Sequence, residues 1–136
     1  MKLLMIYAET FAYKTAMKTL DTVPDIDEEH SIERALVGFI QVEAHDAERL
    51  SAVETKLIKQ LKWAARKNET ATIVLHSFAH LSESKASPEV TQQLFSNAER
   101  RLFSADYRVH QTPFGYFLDL DIQAPGKPSA RIFKDI

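Results

Sequence analysis

Hydrophobic and polar positions alternate along the chain with two periods, one typical of strands and one typical of helices. Short apolar runs at Lys2–Tyr7 and Ala35–Glu43 predict two buried strands, and Thr70–His76 predicts a third. Within the second run, Gly38 indicates a bulge or a close approach of another backbone. Between the first two runs, Glu9–Lys14 alternates aromatic and polar residues, which is typical of a short edge strand or hairpin arm.

Acidic residues and a proline separate these first strands. Asp21–Ser31 contains five acids, Pro24 and few apolar side chains, so it is predicted to be an exposed loop.

Two segments have the helical period. In residues 46–67 one face of the predicted helix carries the apolar positions Leu50, Val53, Leu57, Leu61, Ala64 and Ala65. Asp46 precedes this pattern as a plausible N-cap. The triplet Ser87-Pro88-Glu89 is a start signal for a second helix, because it places serine at the N-cap, proline at the first position and an acid in the first turn. Its apolar stripe comprises Val90, Leu94, Ala98 and Leu102.

The last third returns to the strand pattern, at Tyr107–Gln111, Tyr116–Ile122 and Ala130–Phe133. Pro125-Gly126 predicts the turn of a terminal hairpin between the last two. The order β-β-α-β-α-β-β-β favours an α/β fold in which one mixed sheet is covered by two main helices. No linker or repeat divides the chain, so residues 1–136 are expected to form a single domain.

Composition narrows the class of protein. The chain has 136 residues, no cysteine and a formal net charge of −2. The absence of cysteine excludes thiolate zinc sites, cysteine nucleophiles and disulfides. The charge gives no global basic field for nucleic acid, although contact with one RNA end needs few phosphate contacts. No run reaches the ~20 apolar residues of a membrane span, and the N-terminus lacks a signal-peptide pattern. We therefore expect a cytoplasmic protein without membrane contact.

The segment that follows the third strand is the first candidate for chemistry. Ligands tend to bind at the carboxyl ends of strands in α/β sheets, and Ser77-Phe78-Ala79-His80 lies there. His80 fits a general base, a substrate-positioning group or a structural residue of the loop. A metal site shared with His76 lacks further ligands, and a triad built on Ser77 or Ser82 lacks the Gly-x-Ser-x-Gly turn.

The second candidate is the loop Thr112–Phe117, in which Pro113 and Gly115 stand among aromatic residues. Such a loop can present backbone groups to a ligand beside an aromatic wall, or it can simply be a rigid turn into a core strand.

Trp63 lies opposite the apolar stripe of the first helix, in a segment with five bases and no acid between Thr55 and Lys67. It fits a protein interface, a nucleotide-stacking surface or a contact beneath a loop, and of these we favour the interface.

Four segments together resemble one family in their order and spacing: LLMIYAE, ALVGFIQVE, SFAHLSE and PFGYF. The chain is similar over essentially its whole length to the archaeal threonyl-tRNA synthetase editing domain. The resemblance implies a D-aminoacyl-tRNA deacylase-like fold and a homodimer. It further implies hydrolysis of serine wrongly esterified to threonine tRNA, without metal or cofactor. The expected partners are the aminoacylated 3′ end of tRNA and a synthetase catalytic body in cis or in trans.

Under this resemblance the site is expected at the two loops. The expected catalytic side chains are His80, Tyr116 and Arg131. The expected substrate-binding residues are Gln41, Glu43, Ser77, Phe78, Ala79, Pro113, Phe114, Gly115, Phe117 and Leu118.

The sequence also departs from the family pattern. Leu118 stands where the family has a lysine, and Arg131 where it has a glutamate. Tyr7, Ala8 and Glu9 replace its His-Ser-Asp triplet, and Lys127 replaces a histidine. One hypothesis is that Arg131 supplies the missing cation from a neighbouring strand. The alternatives are a non-catalytic relative that binds an acceptor end or a protein, a deacylase for D-amino acids, and, outside the family, a metabolite-binding domain.

Overall fold

Two long antiparallel strands form the centre of the sheet in a computed structural model that describes residues 1–136. They are β1 (Lys2–Lys18) and β2 (Glu29–Gln41), and they pair over most of their length, from Lys2 opposite Gln41 to Lys14 opposite Glu29. The remaining strands are β3 (Thr72–Ser77), β4 (Arg108–Gln111), β5 (Tyr116–Gln123) and β6 (Arg131–Asp135). The helices are α1 (Leu50–Lys67) and α2 (Pro88–Ser104).

The sheet is mixed, as the element order predicts. The strand order is β4-β3-β2-β1-β5, in which the pairs β2–β3 and β3–β4 are parallel and the pairs β1–β2 and β1–β5 are antiparallel. β6 is antiparallel to β1 as well. Short chain segments join β1 to β2, whereas α1 and α2 connect the parallel strands, because a parallel crossover needs a dozen or more residues.

Two apolar clusters lie on the two faces of this sheet. The helix-side cluster includes Leu3, Met5, Leu36 and Ile40 of the strands together with Leu57 and Leu61 of α1. Gly38 permits the close approach that its sequence position suggests, since a Cβ atom there would lie 3.0 Å from Leu61 Cδ2. The opposite cluster comprises Ala8, Phe11, Tyr13, Ala35, Val37, Phe39 and Val74.

The prediction of two separate strands at Lys2–Tyr7 and Glu9–Lys14 is wrong, because β1 continues through both. The side chains change faces near Glu9: Tyr7 belongs to the helix-side cluster, whereas Phe11 belongs to the opposite one. At this point Arg34 of β2 has φ +48, a left-handed conformation that breaks the regular pleat. The interrupted alternation therefore marks an irregularity within one strand.

Two further boundaries and one helix cap differ from the predictions. The predicted loop Asp21–Ser31 ends earlier, because β2 already begins at Glu29 opposite Lys14. The first helix begins at Leu50 rather than at residue 46, and Ala44–Arg49 form a 3-10 helix. Asp46 lies within this 3-10 helix and is not the N-cap of α1, which is Arg49. It is fully buried, and its carboxylate lies 2.9 Å from the N-terminal ammonium group of Met1.

The predicted terminal hairpin at Pro125-Gly126 is also wrong. β5 and β6 do not pair with each other, because each pairs with a different part of the same edge of β1. β5 lies along Thr10–Lys18 and β6 along Lys2–Ile6. By contrast, the predicted start of the second helix is confirmed, since the Ser87 side chain accepts a hydrogen bond from the Val90 N–H at 3.2 Å. Neither helix is apolar over enough of its length to cross a bilayer.

Candidate active site

A cavity of about 310 Å³ opens where β2 and β3 end and the two candidate loops meet. That volume is at the lower end for small-molecule sites. Residues from both predicted loops line it together, although 35 positions separate Phe78 from Pro113 in the chain. The sequence-predicted residues in its wall are Gln41, Ser77, Phe78, Ala79, His80, Pro113, Phe114, Gly115, Tyr116, Phe117 and Leu118.

Aromatic rings form one side of this cavity. The ring centroids of Phe78 and His80 are 4.8 Å apart, and the His80 ring stacks on Phe117 at 6.0 Å and 23°. Phe117 is 49% exposed, so this stack lies at the rim rather than the floor. His80 is exposed too, which leaves its ring accessible to a ligand that enters the cavity.

His76 also lines the cavity, although it is not among the site residues that the sequence predicts. Its ring is almost fully buried, and its Nδ1 atom lies 2.8 Å from Thr112 Oγ1. Burial, and to a smaller extent the neighbouring His80, lower the pKa of His76 to about 4. His76 is therefore neutral near pH 7. Its position at the end of a buried strand was the available signal.

Gln41 lies in the cavity wall and supports the neighbouring loop through hydrogen bonds. Its Oε1 atom accepts hydrogen bonds from the N–H groups of Leu81 and Ser82 at 2.6 and 2.7 Å. Its Nε2 atom donates to the carbonyl oxygens of Ser82 and Ser84 at 2.7 and 2.9 Å. One buried amide thus fixes the loop that follows Phe78-Ala79-His80.

Glu43, predicted to bind substrate, is not in the cavity wall. Its carboxylate accepts a hydrogen bond from Ser82 Oγ at 2.7 Å and pairs with the N-terminal ammonium group at 2.9 Å. Burial alone would raise the pKa of Glu43, but the hydrogen bonds from the N-terminal ammonium group and Ser82 outweigh it and bring the pKa to about 2. Glu43 therefore supports the same loop as Gln41 and does not face a ligand.

Glu43, His45 and Asp46 bring ligand-type atoms within 4.8 Å of one another. The ammonium group of Met1 already lies between the two carboxylates, 2.9 Å from each. We therefore assign no metal to this cluster.

Tyr116 is expected from the sequence to be catalytic, but its hydroxyl group is hydrogen-bonded to two backbone groups. It donates to the Pro24 carbonyl oxygen at 2.6 Å and accepts from the Ile26 N–H at 2.7 Å. Gly115, at φ +81, packs against the same segment, since a Cβ atom there would lie 2.9 Å from Val23 Cγ1. Together they attach the loop between β1 and β2 to the cavity wall, where Thr19 and Leu20 also lie.

Arg131 is placed away from the cavity, which removes the basis for its role as a replacement cation within one chain. It begins β6 opposite Ile6, whereas Leu118 lies opposite Thr15 of the same strand. Nine residues of extended strand span roughly 30 Å. The Arg131 guanidinium group instead donates to the Pro125 carbonyl oxygen at 3.2 Å.

Few charged side chains line the cavity. Lys85 is its one lysine, and no arginine, aspartate or glutamate lines it. Sequence reasoning missed Lys85, although its place just before the Ser87 helix start put it beside the candidate loop. No hydrogen bond joins Ser77 or Ser82 to a histidine, so the wall contains no serine–histidine nucleophile pair.

Trp63 does not line this cavity. It is 39% exposed, and the Nζ atoms of Lys67 and Lys134 lie 5.9 and 6.0 Å from its ring centroid. The basic surface around Trp63 thus extends from α1 to β6. The protein interface expected at this surface stays a prediction.

Known proteins similar to this chain agree on one family. A family model described as the archaea-specific editing domain of threonyl-tRNA synthetase matches residues 1–136. Threonine–tRNA ligases are similar to the chain at 32% identity over 138 residues in Thermofilum pendens and 31% over 139 residues in Methanosphaera stadtmanae. These alignments cover 100% of this chain and 22% of each relative, so the chain spans about a fifth of the length of these relatives.

One solved structure supports the architecture. The c-Myc DNA Unwinding Element Binding Protein superposes with a TM-score of 0.67 over 100% of this chain and 99% of that chain, at 14% sequence identity. At this identity the likeness shows the fold alone. The expected α/β domain with a D-aminoacyl-tRNA deacylase-like fold is thereby confirmed.

Proposed function

This chain belongs to the archaea-specific editing domain family of threonyl-tRNA synthetase, and we propose that it hydrolyses the ester bond of serine wrongly attached to threonine tRNA. The observation that carries the proposal is the cavity in which the Phe78-Ala79-His80 loop and the Pro113–Leu118 segment meet.

The physical need for such a site follows from the two amino acids. Serine lacks one methyl group of threonine, and a synthetic site built for the larger residue rejects the smaller one by only about 1–3 kcal/mol. A second, hydrolytic site can exclude threonine by size. The aromatic side of the cavity of about 310 Å³ offers a wall against which such an exclusion can act.

Water is the proposed nucleophile, because the cavity wall has neither a cysteine nor a hydrogen-bonded serine–histidine pair. The water oxygen attacks the ester carbonyl carbon and becomes part of the serine carboxyl group, the carbon–oxygen bond to the terminal ribose breaks, and the ribose oxygen leaves with the proton that the water gives up. His80 is proposed to orient this water from the rim. Tyr116 is proposed to hold the wall through Pro24 and Ile26.

Backbone groups of the two loops are proposed to hold the amino acid. Their positions depend on the buried Gln41 amide and on the Gly115 turn rather than on side chains that contact substrate. Preorganised donors of this kind stabilise a developing oxyanion without reorganising during the reaction.

The direct test is release of amino acid from charged threonine tRNA by the purified chain. We expect hydrolysis of the seryl ester and sparing of the threonyl ester. His80→Ala should slow hydrolysis, and His45→Ala, an exposed histidine outside the cavity, serves as the matched control. Full activity in His80→Ala would contradict the assigned role of His80 but not the activity.

A second candidate function is binding of the acceptor end without hydrolysis, which Leu118 favours because it removes the family's cationic side chain from the wall. Release of neither L-seryl nor D-aminoacyl groups above background, together with retained tRNA binding, would decide for it.

The proposed partners are the 3′ end of tRNA, a synthetase catalytic body in cis or in trans, and a second copy of the chain, all in the cytoplasm. Gel filtration at several concentrations tests the homodimer. A monomer at every concentration would contradict it.

A further inference from the structure

The cavity wall has a single side chain of permanent positive charge, Lys85. Leu118 leaves the position of the family's lysine apolar, and Arg131 begins a strand at the other end of β1. His76 is neutral, because burial lowers its pKa to about 4. Lys85 is therefore the one fixed positive charge in the wall that an anionic part of a ligand can contact. It lies in a loop that the family pattern does not single out.

The backbone on both sides of Lys85 is fixed. The Ser84 carbonyl oxygen accepts from Gln41 Nε2 at 2.9 Å, and Ser84 Oγ accepts from the Ala44 N–H at 3.0 Å. On the other side, the Ala86 N–H donates to the Val42 carbonyl oxygen at 2.9 Å. Lys85 thus extends from a segment that is hydrogen-bonded to the residues just after β2 and that leads into α2. Because this backbone is fixed on both sides, the position of Lys85 in the wall does not depend on a free loop.

The charge of Lys85 is not used within the chain. Its ammonium group forms no ion pair and no side-chain hydrogen bond, whereas Lys2 and Lys18 pair with Asp135 and Asp25. Because no carboxylate lines the cavity, nothing in the wall neutralises Lys85. A cation left without a protein partner at a cavity wall is available to an anionic ligand.

We propose that Lys85 binds a phosphodiester group at the 3′ end of the tRNA, next to the nucleotide that carries the amino acid. This inference rests on the proposed function, in that the cavity receives an aminoacylated 3′ end. The amino acid itself carries an α-amine that is partly cationic near pH 7, and lysine would repel it. The phosphates are the anionic groups of the substrate, and a lysine ammonium group binds phosphate as a point charge.

The exposed side chain of Lys85 favours this role over stabilisation of the reacting carbonyl. In water-accessible surroundings a charge contributes little to a transition state, because the high dielectric constant screens it. A phosphate contact acts equally on bound substrate and transition state, so its loss raises KM and leaves kcat unchanged.

The test compares Lys85→Gln with Lys14→Gln, an exposed lysine of β1 that lies outside both the cavity wall and the basic segment around Trp63. The binding probe is a fluorescently labelled single-stranded RNA ending in the CCA sequence of tRNA, titrated at salt concentrations between about 50 and 200 mM. Loss of one phosphate contact should reduce the slope of log K against log salt by about 0.7. We expect a Kd about 3–10-fold higher for Lys85→Gln, wild-type binding for Lys14→Gln, and retention of the wild-type slope by Lys85→Arg.

Kinetics on seryl-tRNA give the second readout. KM should rise by about the same factor as Kd, with kcat within about twofold of wild type. Unchanged Kd and slope in Lys85→Gln, an equal change in Lys14→Gln, or a fall in kcat at constant KM would each overturn the proposal. Thermal unfolding of each variant excludes a folding defect.

The two proposals fail separately. If wild type hydrolyses no aminoacyl-tRNA but binds the RNA probe through Lys85, the deacylase function is overturned and this inference stands. If wild type hydrolyses seryl-tRNA and Lys85→Gln behaves like wild type in both assays, the deacylase function stands and this inference is overturned.

Discussion

The Nδ1 atom of His76 lies 2.8 Å from the Oγ1 atom of Thr112, and this contact joins the end of β3 to the start of the aromatic loop. Both residues are buried. The imidazole ring is thereby held neutral in the folded protein, since burial lowers its pKa to about 4.

This burial predicts a loss of stability in mild acid. The unfolded chain takes up a proton at His76 as the pH falls below about 6.5, whereas the folded protein does so only near pH 4, so the unfolded state binds more protons in that window. The free energy of unfolding should therefore fall by up to about 3 kcal/mol between pH 6.5 and pH 4. Urea unfolding at several pH values measures it. His76→Asn should flatten the dependence and His45→Asn should not; equal profiles in all three proteins would contradict the prediction.

Gly115→Ala should destabilise the fold by about 1–3 kcal/mol, because the new Cβ atom meets Val23 Cγ1 at 2.9 Å and φ is +81. The matched control is Gly126→Ala, where nothing lies within 4 Å and a change of about 0.5 kcal/mol or less is expected. Denaturant unfolding of the two variants tests the difference. A Gly115→Ala protein as stable as the Gly126→Ala protein would show that the Leu20–Val23 segment does not depend on this turn.

Gln41→Ala should release the loop that carries Lys85. The variant loses the four hydrogen bonds of the amide and leaves the N–H groups of Leu81 and Ser82 unpaired, at a cost of about 2–4 kcal/mol. Hydrogen exchange should then accelerate at these two amides, while α1 stays protected. Gln92→Ala, on an exposed face of α2, is the control. Unchanged exchange at Leu81 and Ser82 would argue against the amide as the element that fixes this loop.

Tyr116→Phe should affect stability more than chemistry. Its hydroxyl group connects the carbonyl oxygen of Pro24 and the N–H of Ile26, and loss of both bonds should cost about 1–2 kcal/mol. Deacylation by the folded variant should stay within a few-fold of wild type. Tyr107→Phe, whose hydroxyl makes no hydrogen bond within the chain, should change neither quantity. A large fall in kcat for Tyr116→Phe alone would restore Tyr116 as a catalytic residue.

Much of the local structure can be predicted from the sequence, because it depends on neighbours along the chain. The helix start at Ser87 follows from the cap, the proline and the acid together, and the buried strand at β3 follows from a short apolar run. The meeting of the two loops at one site is expected from the resemblance to the family, and eleven of the thirteen predicted residues line the cavity.

The sequence by itself thus determined which segments are strands, which are helices, and which two loops carry the candidate chemistry. Only the tertiary structure decided the strand pairing and, through it, the charge of the site. Because β5 and β6 occupy successive parts of β1, Leu118 lies opposite Thr15 and Arg131 opposite Ile6, and the two cannot meet within one chain. The register of a strand depends on all the strands that pair with it, whereas the hydrophobic pattern of one segment shows only which of its side chains face the core. That register excluded Arg131 from the cavity wall, and the hydrogen bonds of Gln41 placed Lys85 in it.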